Sequence, residues 1–308
     1  SMLGVVAAVA LAGCALVLAR SSRRRPRPPA ADRAVTEVRL PNRAQLHLAT
    51  AVLGLLSGVS SVVAAVLPTL STPDGLTQPQ VYPVRTLALA GVLLAVVCAG
   101  MLTEATAPVL RPVASIAWVA PVLGASGVLQ AVLVATAAPG VGPGSGAWVA
   151  VLAVLLAAGC GISAGLAGAV ERDDVDTSRD TGPSRAVAAA GGVAAMATAL
   201  GLGLPLYTAS GTAAAALVFG SWGWDSWGLA LVVIAVVSAL VVAARSRRDH
   251  GVALLVGVEL VLAVHLVSWP LTATRLGAPS VGVGAGFTVV ALVAVAVMAA
   301  LLGRGRRS

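Results

Sequence analysis

The sequence predicts an all-α, polytopic integral membrane protein with about nine transmembrane helices, its N-terminus outside the cell and its C-terminus inside. Three observations support this prediction. Of the 308 residues, 58% are hydrophobic and only 10% are charged, whereas soluble domains average about 25% charged residues. The apolar residues fall in long runs. All twenty basic residues are arginines, and they are concentrated in alternate gaps between those runs.

Nine apolar runs are long enough to cross a bilayer. A helix needs about 20 residues to span a hydrocarbon core about 30 Å thick. Helices are expected because a backbone in lipid must satisfy its own hydrogen bonds. The runs cover residues 2–19, 46–67, 86–103, 113–137, 148–170, 186–207, 227–244, 251–271 and 281–302.

The arginines predict the orientation. Eighteen lie in the gaps after the first, third, fifth, seventh and ninth runs, and only Arg85 and Arg275 lie in the others. Cytoplasmic loops are enriched in arginine, so we expect the eighteen on the inner side of a bacterial cytoplasmic (inner) membrane. The net charge of +8 then reflects orientation and contact with anionic lipid headgroups. No nucleic acid partner is expected, since no basic motif is interleaved with stacking aromatic residues.

The runs divide the chain into four parts. Residues 1–19 predict an N-terminal transmembrane anchor, because the charge follows the apolar stretch instead of preceding it as in a signal peptide. Residues 20–45 predict a cytoplasmic linker rich in arginine and in prolines, which interrupt helices. Residues 46–303 predict an eight-helix membrane domain, and residues 304–308 a cytoplasmic tail.

The membrane domain shows signs of internal duplication. Residues 135–156 are similar to residues 273–297, and two predicted helices end in Leu-Pro, at Leu67-Pro68 and Leu204-Pro205. These similarities suggest two parallel halves, 46–170 and 186–303, a plan found in transporters. The alternative is chance similarity, because alanine, valine, leucine and glycine dominate both segments.

Three polar residues inside the runs are candidates for coupling or binding. Glu259 lies about 12 Å from the inner end of its helix, where an ionisable group is costly and usually faces a cavity or a partner. It indicates proton coupling or substrate binding, unless it is protonated and bonded to a neighbouring helix. His265, on a different face of that helix, is a proton relay, a haem ligand or a histidine near the outer headgroups. Gln130 either joins helices or binds a ligand.

Small residues recur at every fourth position in the predicted helix 148–170, at Ala157, Gly161, Gly165 and Ala169. This pattern predicts a close helix–helix contact, either within one chain or between protomers. No metal site is expected, because the three histidines and the three cysteines are scattered along the chain.

A tryptophan cluster lies in the outer gap between residues 208 and 226, which contains a short apolar piece that could be re-entrant. The cluster comprises Trp222, Trp224, Asp225 and Trp227, and it is typical of an aromatic belt at the headgroups. The segment FGSWGWDSWGLALVVIAVV at 219–237 also resembles the tryptophan-rich segment of haem-handling proteins of cytochrome c biogenesis. That resemblance implies haem on the outer face. The family flanks this segment with outer histidines, and here His265 is the only candidate.

These observations favour a transporter- or permease-like protein for a small solute or a lipid, with Glu259 as the expected proton-coupling group. One alternative is a non-catalytic accessory or scaffold subunit of an envelope complex, because few polar residues lie in the runs. Its partner would be a membrane protein or an ATPase subunit. Another is outer-face haem handling, and haem is the one cofactor considered. No nucleotide or hydrolase motif is present, so no catalytic residues are predicted.

Overall fold

The computed structural model describes residues 43–72, 84–103, 105–170, 183–209, 212–214, 227–273 and 280–304. The predicted anchor at 1–19, most of the linker at 20–45 and the last four residues of the tail lie outside these ranges. Three residues of the tryptophan cluster also lie outside them: Trp222, Trp224 and Asp225.

The described part of the chain contains nine helices and five very short strands. The helices are α1 (Arg43–Val66), α2 (Val84–Gly100), α3 (Ala107–Ala117), α4 (Val119–Ala135), α5 (Ser145–Val170), α6 (Arg185–Gly203), α7 (Trp227–Arg245), α8 (Arg248–Ala273) and α9 (Val283–Arg304). The strands are β1 (Leu70–Ser71), β2 (Gly142–Pro143), β3 (Tyr207–Ala209), β4 (Thr212–Ala214) and β5 (Ser280–Val281).

The helices confirm the all-α class and a multi-pass membrane protein. Seven helical segments in the described ranges are long and apolar enough to cross a membrane, and α2 is apolar but shorter, with 17 residues. Helices α3 and α4 form one of the seven segments, since only Trp118 separates them. All eight runs predicted between residues 46 and 302 are therefore helical, and the first run lies outside the described residues.

Two boundaries differ from the prediction by more than three residues, the start of α3 and the end of α6, and a proline lies near each of them. Helix α3 begins at Ala107 and continues through Pro112, because the proline removes one hydrogen bond without ending the helix. Helix α6 ends at Gly203, before Pro205, which cannot continue it. Strands β3 and β4 pair antiparallel, with Tyr207 opposite Ala214 and Ala209 opposite Thr212. The described residues at the start of the predicted re-entrant segment, 208–209 and 212–214, therefore lie in strands and not in a helix.

The helices pack in two groups of four membrane-crossing segments. In the first group α1 packs against α2 and α5, and in the second α6 packs against α7 and α9. The third segment of each group, α3 with α4 and α8 respectively, lies at the centre. In these segments 67% and 61% of the apolar stretch is buried, against 39% or less in the other five long segments. The two groups meet mainly where α3 packs against α8.

The peripheral helices expose apolar side chains on one face. On α1 these side chains recur every third or fourth residue, at Leu48, Val52, Leu56, Val59 and Val63. That spacing keeps them on one side of the helix. Helices α5 and α9 have comparable faces. Apolar side chains that cover such a face are expected where a helix borders lipid.

Each group is closed by the same short strand pairing. Strand β1 pairs antiparallel with β2, with Leu70 opposite Pro143 and Ser71 opposite Gly142. Strand β3 pairs antiparallel with β5, with Tyr207 opposite Val281 and Thr208 opposite Ser280. In both groups the pairing joins the residues after the first helix to the residues before the last helix.

The backbone hydrogen bonds beside the strands also recur. In the first group the N–H of Gly144 donates to the carbonyl of Thr69 at 2.9 Å, and that of Gly146 donates to Pro68 at 2.8 Å. In the second group Gly282 donates to Leu206 and Gly284 to Pro205, both at 2.9 Å. A Cβ on any of these four glycines would lie 2.1–2.7 Å from a carbonyl oxygen, so the strands approach too closely for a side chain.

The two ends of the bundle differ in character. All described strands lie at one end, which we call the strand end, because α1 and α6 run towards it and α5 and α9 start from it. The opposite end, which we call the arginine end, carries Arg185 at the start of α6, Arg245 and Arg248 at the α7–α8 corner, and Arg304 in the last turn of α9. Arg85 lies at the strand end, since α2 runs antiparallel to α1.

Candidate functional site

An open pocket of about 600 Å³ lies between the two groups at the arginine end. It is lined by α3 and α5 of the first group and by α7 and α8 of the second. The lining residues are Arg111, Pro112, Ser115, Ala164, Gly165, Gly168, Val241, Val242, Arg245, Ser246, Arg247, His250 and Leu254. Its volume falls within the range of small-molecule binding pockets, about 300–1,000 Å³.

The polar part of the lining is basic. Arg111 is only 6% exposed, whereas Arg245 and Arg247 are exposed and His250 is half-buried. No carboxylate is among the described residues that line this pocket. Because like charges in a cleft with apolar walls reinforce one another, we expect this lining to attract anions.

Arg111 is placed by α3 and by a glycine on α5. A Cβ at Gly168 would lie 2.5 Å from the Nη1 of Arg111. The missing side chain at Gly168 therefore leaves the space that the guanidinium occupies. Arg111 comes from the first group and the other basic residues from the second, so the pocket is complete only when the two groups are packed together.

The corner between α7 and α8 places Arg245 and Arg247. The Oγ of Ser246 donates to the carbonyl of Val242 at 2.7 Å, and the N–H of Ser246 donates to the same oxygen at 2.8 Å. These bonds satisfy a carbonyl at the end of α7, and α8 begins two residues later. The first turn of α8 borders the pocket, and the N-terminal end of a helix adds a partial positive charge.

Glu259 does not line this pocket. It is half-buried in α8, and at about 100° per residue it lies roughly 180° around the helix from His250. The side of α8 near Gly257 packs tightly on α3, because a Cβ on Gly257 would lie 2.8 Å from the carbonyl oxygen of Val113. Glu259 is thus on the same helix as the pocket residue His250 but on the opposite face.

His265 is enclosed by protein. It is 2% exposed, its imidazole lies beside the backbone of Gly201 on α6, and its Nε2 is buried without a hydrogen-bond partner among the described residues. This burial places the imidazole inside the second group.

The remaining candidates lie apart from one another. Gln130 is half-buried in α4, and Trp227 is the half-buried first residue of α7. The rest of the tryptophan cluster falls outside the described residues. The structure therefore brings neither Gln130 nor Trp227 to the basic pocket.

The small residues at every fourth position of α5 have different surroundings along the helix. Ala157 is buried, and Gly161 packs on the indole of Trp118, whose Nε1 lies 2.4 Å from the position of a Cβ. Gly165 lines the basic pocket and has no atom within 4 Å of a Cβ position. The side chain of Ala169 is outside the described part of the chain.

Sequence reasoning missed Arg111, Arg245, Arg247 and His250 as site residues, because it treated the arginines only as an orientation signal. One signal in the sequence could have separated Arg111 from the others. It is the only arginine of its gap, and apolar residues flank it on both sides. In the structure it lies within α3 and not in the connection before it.

No group of three or more metal-ligating side chains is present among the described residues. No protein-family model matches this chain, and no curated protein or solved structure shows significant similarity to it. Any proposal about function therefore depends on the pocket and the fold.

Proposed function

We propose that this protein is a permease-like protein of the bacterial cytoplasmic membrane, which binds a small solute or a lipid between two repeated halves and moves it across the bilayer. The observation that carries the proposal is the pocket at the arginine end, which takes its lining from both halves. Transporters built from parallel repeats bind their substrates between the repeats.

The proposed halves are residues 46–170 and 186–303. Their support is the matched closure at the strand end, where β1–β2 and β3–β5 share one register and one set of flanking hydrogen bonds. In each half the third crossing segment is central, and it packs on the other half. The same backbone bonds at corresponding positions support two repeated halves in preference to a chance similarity of sequence.

In this proposal the arginine end faces the cytoplasm, as the positive-inside rule predicts. The pocket is then open to the inner side, and the C-terminus is also inside. With the run at 2–19 as a ninth crossing, the N-terminus is outside. Glu259 is the proposed proton-coupling group, since a carboxylate within a membrane helix is costly when ionised and shares α8 with the pocket.

The experiment compares the protein with a form in which the two halves are locked together. Val113→Cys combined with Gly257→Cys introduces a disulfide across the α3–α8 contact. Movement across the membrane of proteoliposomes is measured for three probes: inorganic phosphate, succinate and a fluorescent phosphatidylglycerol analogue. We expect at least one of them to cross faster than in protein-free vesicles, and to slow when the disulfide forms and recover on reduction.

Permeation equal to that of protein-free vesicles for all three probes would contradict a permease and favour the accessory-subunit alternative. Transport that is unaffected by the lock would contradict movement between the halves. Variants with Val113→Cys alone and with Gly257→Cys alone control for the thiols and for the packing change at Gly257. The effect of the lock is the difference between the oxidised and the reduced double variant.

A further inference from the structure

We infer that the basic pocket binds a phosphate-bearing anion, through Arg111 of the first half and Arg245, Arg247 and His250 of the second. This inference rests on the proposed function for the role of the pocket, and it names the chemical class of the ligand. The phosphate can belong to a lipid headgroup or to a free solute, because the recognised group is the same in both.

The charge of the pocket points to a multiply charged anion. Three guanidinium groups and an imidazole line one cavity, with no carboxylate among the described lining residues. A guanidinium offers a planar fork of donors that matches phosphate oxygens in bidentate fashion, and its charge persists at all physiological pH values. A phosphate group, with more oxygens and more charge than a carboxylate, fits several such donors that converge from different helices.

The position of Arg111 distinguishes this pocket from ordinary orientation charges. The other arginines that line the pocket, Arg245 and Arg247, are exposed, whereas Arg111 is 6% exposed. Gly168 keeps the place of Arg111 open at the cost of side-chain packing on α5. Arg111 therefore adds a fixed positive charge to the buried side of the pocket.

The apolar wall of the pocket gives room for the rest of the ligand. Val241 and Val242 line it and are also 46% and 43% exposed on the surface of α7. Gly165, exposed on the opposite wall, leaves open space beside it. The pocket is therefore basic at its polar side and borders the apolar surface, a combination that suits an organic phosphate or a phospholipid at headgroup depth.

The test measures binding to the purified full-length protein in a neutral detergent. One arm uses mixed micelles that contain phosphatidylglycerol, with phosphatidylcholine as the zwitterionic comparison. The other arm uses inorganic phosphate, with chloride at equal ionic strength as the comparison. Thermal unfolding followed by tryptophan fluorescence reports ligand binding, because a ligand that binds only the folded state raises the melting temperature.

The variants remove charge inside and outside the pocket. Arg245→Gln with Arg247→Gln alters the lining, and Arg185→Gln with Arg304→Gln removes the same charge from exposed positions at the same end. We expect the lining variant to weaken binding about tenfold or more, which corresponds to about 1.4 kcal/mol, and the control variant to bind within about twofold of the wild type.

A second pair tests Arg111 without removing it. Gly168→Ala places a methyl group against its guanidinium, whereas Gly192→Ala meets no atom within 4 Å on α6. We expect only Gly168→Ala to weaken binding. This pair keeps the test informative if substitution of Arg111 itself prevents folding.

Some outcomes identify the source of the phosphate, and the others contradict the inference. Binding of phosphatidylglycerol alone identifies a lipid headgroup, and binding of inorganic phosphate identifies a soluble ligand. Equal affinities in the lining and control variants, or no binding in either arm, would overturn the inference. Transport of succinate without phosphate binding would overturn it and leave the permease proposal intact. Binding of a phosphate-bearing probe without transport of any probe would support the inference and contradict the permease proposal.

Discussion

Substitution of Gly257 by alanine should weaken the contact that joins the two halves of the protein. A Cβ at this position would lie 2.1 Å from the Cγ2 of Ile116, 2.8 Å from the carbonyl oxygen of Val113 and 3.3 Å from the Cα of Val113. Two of these three atoms belong to the backbone of α3, which cannot rotate out of the way. The added methyl group must therefore push α8 away from α3.

The expected loss of stability depends on which atoms the added methyl group would contact. Inserting a methyl group into a well-packed core usually costs about 1–3 kcal/mol, and a backbone contact below 3 Å places Gly257→Ala in the upper part of that range. The matched control is Gly286→Ala on α9, where a Cβ meets no atom within 4 Å. There we expect no loss of stability, since alanine favours a helix more than glycine does.

The measurement is the free energy of unfolding in mixed micelles as the fraction of denaturing detergent is raised. A second change, Ile116→Leu, removes the Cγ2 atom and leaves the carbonyl of Val113. The double variant should therefore recover part of the lost free energy and not all of it. Equal stability of Gly257→Ala and Gly286→Ala would refute the close packing of α8 on α3, and full recovery in the double variant would refute the role of the backbone.

Three further predictions follow from the described contacts. Gly146→Ala and Gly284→Ala should each lower the free energy of unfolding by about 1–3 kcal/mol, because each Cβ meets a carbonyl oxygen within 2.8 Å. If only one of the two variants lost stability, the pairings β1–β2 and β3–β5 would not be equivalent. The Sγ atoms of Cys98 and Cys160 are 4.0 Å apart and buried, so a membrane-permeant oxidant should remove both thiols from a maleimide count under denaturing conditions. Retention of both thiols would show that α2 and α5 do not meet there. Glu259→Gln should leave phosphate binding within about twofold, because Glu259 lies across α8 from the pocket, and should abolish proton-driven uptake; undiminished uptake would end its proposed coupling role.

The sequence was sufficient for the membrane class and for the positions of eight helices, because long apolar runs are a strong and local signal. It was less informative where a single residue decides the local structure. The apolar run predicted at 113–137 starts after Pro112, yet the helix begins at Ala107 and continues through this proline, because the loss of one hydrogen bond is tolerated. The strands could not be predicted, since pairs of residues such as Leu70–Ser71 are too short to carry an alternating pattern.

The pocket could not be predicted from the sequence for a different reason. Hydropathy indicates which residues cross the membrane, but it does not indicate which helices touch. Glu259 drew attention because a carboxylate in an apolar run is unusual, whereas Arg111 lies in a gap that the orientation rule already explained. Only the packing of α3 against α5 and α8 brings Arg111 near Arg245 and His250.

The strand closures have a consequence for how such a chain could arise. The bonds that join the first and last helices of each half connect backbone atoms, and their one requirement is a glycine at the close approaches. Thr69 and Leu206 therefore accept equivalent bonds although their side chains have nothing in common. A gene for one four-helix unit could duplicate, and the two copies could then diverge at almost every position. Both copies would keep the same strand pairing and its backbone hydrogen bonds. Selection on one copy could introduce a buried arginine while the other acquired a carboxylate.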